Sequence, residues 1–330
     1  APGANITANV KISSSSNPNY IPFSLLKGKL IIDENISLDN NSLFYNRSDF
    51  INSSIDVNSG NVINGSGVNQ LAVGQVNYGT GSAAADRDKI TINNSGTIDL
   101  AGNSSTGILT DFGKINNTGT VKVGDSSNIS DPSIAVYSNT AGNTVTNSGT
   151  VTAGTGSIGI YSNSGTVINN NTSNIGNSGI GIYSTNGIVN LNAGSVMNMG
   201  TDGAVAVYGV SSAVNNSADL NTGNGNYGFI LKGGSLVNNA GTNSTVGTDS
   251  VYMYSTEGAV ITNNGNVTMT GSDNVGFYMA QDPASGAGGA VMANNGIISG
   301  TAGNNNVGIY NYGGTVDNYG TVSVGNSDIL

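Results

Sequence analysis

Val, Ile and Ala recur along the chain in short runs, and almost every run is closed by Asn, Ser, Thr or Gly. Runs such as Thr150-Val-Thr, Ile158-Gly-Ile-Tyr161 and Thr166-Val-Ile are separated by Asn-Ser-Gly, Ala-Gly-Thr-Gly or Ser-Asn-Ser-Gly. These are strand signals alternating with turn signals. No window of helical length escapes Gly, Asn or a β-branched residue, so helix is disfavoured throughout. No apolar run approaches the roughly 18 consecutive residues of a membrane helix.

The runs are copies of one unit. Ile115-Asn-Asn-Thr-Gly-Thr-Val121, Val145-Thr-Asn-Ser-Gly-Thr-Val151, Ile261-Thr-Asn-Asn-Gly-Asn-Val267 and Val316-Asp-Asn-Tyr-Gly-Thr-Val322 align without gaps. The alignment gives an Asn column at Asn94, Asn117, Asn147, Asn170, Asn192, Asn216, Asn239, Asn263, Asn294 and Asn318. Its intervals are 22 to 24 residues, apart from two of 30 and 31. A second signature follows about a dozen residues later. It reads Ile158-Gly-Ile-Tyr161, Ile180-Gly-Ile-Tyr183, Val205-Ala-Val-Tyr208, Val275-Gly-Phe-Tyr278 and Val307-Gly-Ile-Tyr310, with looser copies at Ile134-Ala-Val-Tyr137 and Val251-Tyr-Met-Tyr254.

Three short strands and three turns cannot bury an apolar face alone, whereas stacked copies build a continuous core. The pattern therefore predicts an all-β chain folded as a right-handed parallel β-helix of about 24 residues per coil, with about 13 coils rising by roughly 4.8 Å each. Val and Ile form the inner stacks. The asparagines at 94, 117, 147, 216, 239, 263, 294 and 318 form a structural ladder of side-chain amides bonded above and below. Leucine-rich repeats share the period but need a Leu-rich frame, and left-handed hexapeptide helices need a period of six; neither fits. Residues 1–60 fit the unit poorly and are read as irregular N-terminal coils or a cap, with regular repeats over 61–330. The chain starts at Ala1 without a leader and stops at Asp328-Ile-Leu330 just past a Gly-Thr-Val strand, which suggests a piece of a longer protein.

Composition narrows the function. There are 50 Gly, 5 Pro and 8% charged residues, and no Cys, His or Trp. Ser-His-Asp and Cys nucleophile chemistry, His/Cys zinc sites and haem or iron-sulfur ligation by those residues are excluded. A net charge of -10 offers no basic face, so nucleic acid is not a partner. The 37% hydrophobic fraction argues against a disordered polar tract. Lack of Cys suits a chain threaded through an export pore, without requiring one. No cofactor is implied, and no metal, since the Gly-Gly-x-Gly-x-Asp frame of calcium-binding nonapeptides is missing.

Gly154-Thr-Gly-Ser-Ile-Gly159 and Gly223-Asn-Gly-Asn-Tyr-Gly228 have the spacing of a dinucleotide loop but open no helix, and read as turn glycines. Asp86 and Asp88 flank Arg87, and Asp131, Asp202, Asp249 and Asp273 form a loose column before the Tyr strand. Paired acids are the equipment of glycan-cleaving β-helices. Recurrence instead points to turn chemistry, because an active site occurs once. The sharper candidates for binding are tyrosines. Period-2 alternation places Tyr137, Tyr161, Tyr183, Tyr208, Tyr254, Tyr278 and Tyr310 in one outward column beside a bare strip of Ala135, Gly159, Gly181, Ala206, Gly228, Gly276 and Gly308. Such rings either receive a sugar or another chain or simply stack along a corner. The two long intervals contain Asp125-Ser-Ser-Asn-Ile-Ser-Asp-Pro-Ser133 and Gln281-Asp-Pro-Ala-Ser-Gly-Ala-Gly-Gly289, loops that place Asp131 and Asp282 among the binding candidates or are neutral drift.

The alternation of Asn-x-Gly-Thr-Val with Gly-Ile-Tyr over residues 90 to 325 resembles the passenger regions of large Gram-negative type V autotransporter adhesins, fusobacterial type. The resemblance implies secretion through a C-terminal β-barrel, absent from this sequence, and display at the outer membrane. It further implies attachment to a bacterial or host cell-surface protein or glycan, with self-association as a further possibility in such passengers. A non-binding spacer and a glycan-cleaving enzyme are the rival readings.

Overall fold

The computed structural model describes residues 5–8, 29–38, 43–47, 53–76, 90–127, 130–281, 289–300 and 302–325. Every regular element among them is a β-strand, and the strands pair in parallel from coil to coil as a β-solenoid. The chain divides into two compact units, Ala1–Asn174 and Ile175–Leu330.

In the first unit three inward stacks make the core. Ile55, Ile92, Ile115, Val145 and Val167 are mutually in register on the first sheet. Val73, Ile108, Val136 and Ile160 are in register on the second. Ile63, Ile98, Val121 and Val151 are in register on the third. All are buried. β-Branched side chains suit this arrangement because they pack on a pleated surface with little rotamer freedom to lose. Strands Lys29–Ile32 and Ser53–Val57 already pair in this frame. In the second unit Val189, Val214, Leu236, Ile261 and Met292 make one stack, while Ile182, Val207, Phe229, Met253 and Phe277 make another.

The glycine of Asn-x-Gly is required by close approach. A Cβ on Gly119 would lie 2.0 Å from the Gly96 carbonyl oxygen, and one on Gly149 would lie 2.1 Å from that of Gly119. Gly296 and Gly320 repeat the relation in the second unit, 2.0 Å and 2.1 Å from the glycine oxygen one coil back. Replacing Gly149 by Ala should lower stability by about 1–3 kcal/mol, since the methyl meets backbone rather than a movable side chain. Urea denaturation checks this, and an unchanged midpoint would show that the coils shift apart freely.

Period-2 alternation fails in the Tyr strand. Strand Ile158–Asn163 leaves Ile158 half-buried on the outside, turns both Gly159 and Ile160 inward and returns Tyr161 outward. The Ala/Gly strip expected beside the tyrosines therefore faces the core, and Ala135 and Ala206 are fully buried. The physical reason is the third sheet. A Cβ on Gly107 would come within 2.7 Å of Val121 Cγ1, on Gly181 within 2.6 Å of Ile175 Cδ1, and on Gly228 within 2.9 Å of Leu220 Cδ2. Small residues here admit large ones opposite.

Candidate functional site

The asparagine ladder is built as a directional chain. In the first unit Asn94 Nδ2 donates to Asn117 Oδ1 (2.8 Å), Asn117 to Asn147 (2.8 Å) and Asn147 to Asn169 (2.7 Å). The other amide hydrogen of each donates to a backbone carbonyl of the next coil, at Thr120, Thr150 and Thr172. In the second unit the same bonds run Asn216 to Asn238, Asn263, Asn294 and Asn318 at 2.7–2.8 Å. The side chains from Asn94 to Asn294 are buried, and most coils between them take 22 to 25 residues.

Three expected rungs are displaced by one residue. Asn238, not Asn239, stands in the ladder, and Asn239 instead donates to Ser217 Oγ at 2.9 Å. Asn169, not Asn170, is opposite Asn147. The buried Leu191, not the exposed Asn192, is opposite Asn216. In adjacent asparagines a one-residue slip exchanges the inner face for the outer.

A second polar ladder, which the sequence reading missed, occupies the position just before the Tyr strand. There the backbone N–H of Gln70 donates to Ser105 Oγ and that of Ser105 to Ser133 Oγ. In the second unit Ala204 donates to Asn226 Oδ1, Asn226 to Ser250 Oγ, Ser250 to Asn274 Oδ1 and Asn274 to Asn306 Oδ1, at 2.9–3.2 Å. The mixture of Gln, Ser and Asn hides the column from any search for identity. The residue before it is left-handed. Asp249 (φ 55°) and Asp273 (φ 59°) hold this place, as Ser104 (φ 54°) does in the first unit, and Asp202 (φ 57°) lies beside it. Asp and Asn tolerate that conformation better than most residues, which accounts for the acidic column as turn chemistry. Asp131 is exposed in the first long loop, where its carbonyl accepts from Ser104 Oγ and Ser126 Oγ. Asp86, Asp88, Arg87 and Asp282 lie outside the described residues.

The tyrosines lie on the outer face as stacked rings. Tyr137 and Tyr161 in the first unit have centroids 4.9 Å apart and planes 5° from parallel. In the second unit Tyr183–Tyr208 (5.0 Å), Tyr254–Tyr278 (5.1 Å) and Tyr278–Tyr310 (4.7 Å) stack likewise. Most of these rings are half-buried, and Tyr310 is exposed. Burial, then the neighbouring ring of Tyr161 and then Asp111 push the Tyr137 phenol up from its ordinary value; burial and then Tyr310 and Tyr254 do the same to Tyr278. The Tyr137 and Tyr278 hydroxyls are therefore held in the neutral form. Lys232 Nζ lies 5.9 Å from the Tyr208 ring centroid, and hydrogen bonding to Tyr208 raises its pKa. One buried tyrosine went unread: Tyr252 fills the place that Gly228 holds one coil earlier, edge-on to Phe229 (5.4 Å) and Phe277 (5.5 Å).

No protein-family model, curated protein or solved structure matches the chain.

Proposed function

We propose that the chain is part of a surface-displayed, non-enzymatic adhesin, carried at the outer membrane of a Gram-negative bacterium and attaching to a cell-surface protein or glycan through its outer face. The observation that carries the reading is the column of tyrosine rings on the outer face, whose hydroxyls and aromatic edges can be shared with a partner. Its repeat resembles type V passenger adhesins, which supplies the display and the barrel-borne export. Turn geometry at Asp249 and Asp273 favours a structural role for the acids over glycan cleavage. Self-association and attachment to another cell draw on the same face.

A second reading is favoured by the rings' contacts with one another, since stacked rings also serve as packing: the chain is then a spacer that binds nothing. The test is attachment of the isolated chain to bacterial and host cells, with Tyr183, Tyr208, Tyr254 and Tyr278 together changed to Thr. Attachment should fall at least tenfold, equivalent to about 1.4 kcal/mol, while the β-type circular-dichroism spectrum is retained. Equal attachment by the variant would overturn the tyrosine reading, and no attachment by either chain would leave the spacer.

A further inference from the structure

Outward positions of the third sheet in the first unit make a column of Ser37, Asn64, Asp99, Lys122 and Thr152, each in register with the next. Outward asparagines elsewhere in this unit pair with a polar residue one coil away. Asn93 donates to Asp56 (2.7 Å), Asn116 to Asn93 (2.9 Å) and Asn174 to Thr152 Oγ1 (3.1 Å). Asn64 stands between Ser37 and Asp99, yet among the described residues its side chain bonds neither. Asp99 Oδ1 is shielded from solvent and also lacks a partner.

These unbonded groups meet in a cavity of about 260 Å³, lined by Ser37, Asn64, Asp99 and Lys122 together with Leu38 and Gly65. Gly65 replaces the leucine that stands at its register place on both neighbouring coils, Leu38 and Leu100, so the lining there is bare backbone. Behind it Gln70, fully buried, turns Oε1 into the space that a Cβ on Gly65 would fill, and this oxygen too is without a partner. One carboxylate, one ammonium and one unbonded amide do not recur along the column. Turn chemistry in a solenoid repeats, whereas a site occurs once.

We propose that this cavity binds one neutral sugar ring, which donates a hydroxyl to Asp99 Oδ1 and shares others with Asn64 and Ser37. Neutrality follows from the ion pair: Lys122 Nζ already donates to Asp99 Oδ2 at 3.1 Å, so an anion would meet Asp99 and a cation would meet Lys122. Hydroxyls follow from the free groups, since Asp99 Oδ1 only accepts while the Asn64 amide and the Ser37 hydroxyl both donate and accept. Size follows from the volume, which falls below the roughly 300 Å³ at which pockets for drug-sized ligands begin. Neighbouring strands stand about 4.8 Å apart, so hydroxyls on different edges of one ring reach Asn64 and Asp99 together. The site shares no residue with the tyrosine column and goes beyond the attachment reading.

The probes are glucose, galactose and mannose, each titrated at millimolar concentrations into the whole chain while side-chain amide resonances are followed by NMR. At least one should shift the Asn64 amide and saturate, with the Asn174 amide unmoved. Cyclohexanol, a ring with a single hydroxyl, and glucuronate, which adds a negative charge, should bind at least tenfold more weakly. Asp99→Ala and Asn64→Ala should each weaken the bound hexose about tenfold with the β-type circular-dichroism spectrum retained, whereas Thr152→Ala, on the same column outside the cavity, should change nothing. Saturation by none of the three hexoses, equal binding of cyclohexanol or glucuronate, or full binding by either cavity variant would overturn the site. Loss of hexose binding in the four-threonine chain would overturn it too, because that chain leaves every residue of the cavity in place.

Discussion

Asn147→Leu should destabilise the chain by about 2–6 kcal/mol, because it takes one hydrogen bond from each of two buried amide groups, at about 1–3 kcal/mol each. Asn117 Nδ2 loses the oxygen it donates to, and Asn169 Oδ1 loses its donor. Thr172 loses a side-chain donor to its carbonyl as well. Shape is not the cause, since Leu191 already occupies the ladder position opposite Asn216 and is buried there. The end of the ladder provides the control. Asn94 is opposite Val57, its Oδ1 is buried without a partner, and only Asn117 and the Thr120 carbonyl accept from it. Asn94→Leu should therefore cost clearly less than Asn147→Leu in urea denaturation. Equal losses at the two sites would mean that the ladder's cooperativity is not what is being measured.

The solenoid, its period and its inner stacks were legible because stacking makes like residues lie over like, and identity down a column is what an alignment of repeats detects. Asn94, Asn117, Asn147, Asn216, Asn263, Asn294 and Asn318 were found in this way and are ladder rungs. The reading slipped where two asparagines are adjacent, as at Asn169-Asn170 and Asn238-Asn239, since composition cannot tell which faces in. It also missed the ladder through Ser105, Ser133, Asn226, Ser250 and Asn274, where different side chains accept the same backbone bond. Strict alternation misled at Ala135, Gly159 and Ala206, because two successive residues of that strand face the core. The tyrosine column lies on the outer face, where alternation put it.

Tyr252→Ala should cost about 3–5 kcal/mol, the range for emptying a buried aromatic site, even though neighbouring coils carry Gly or Ala at that position. The difference lies in what faces it. Gly276 is opposed by Ile298, whose Cγ2 is 3.1 Å from where a Cβ would be, and Gly228 by Leu220. Tyr252 is opposed by Ser244, which holds the register place of Val267 and Ile298 and whose Oγ lies 3.3 Å from the tyrosine hydroxyl. The volume lost from one sheet has been supplied from the other. Adding Ser244→Ile to Tyr252→Ala should therefore recover at least about 1 kcal/mol, while Ser244→Ile alone should overpack and destabilise by about 1–3 kcal/mol. The same ring gives an alkaline signature. Burial pushes the Tyr252 phenol well above its ordinary value of 10.0, against the opposing hydrogen bonds of Ser244 and Asn216. Above pH 10 the unfolded chain loses this proton while the folded chain keeps it, so stability falls as pH rises, by up to about 1.4 kcal/mol per unit for this group. Below pH 10 the effect vanishes. Tyr252→Phe should flatten the slope between pH 10 and 11.5, leaving the smaller contributions of Tyr137 and Tyr278, whose pKa values are also raised. Urea midpoints across that interval decide it: an unchanged slope in the phenylalanine variant, or no rescue by Ser244→Ile, would remove Tyr252 as the residue that closes this part of the core.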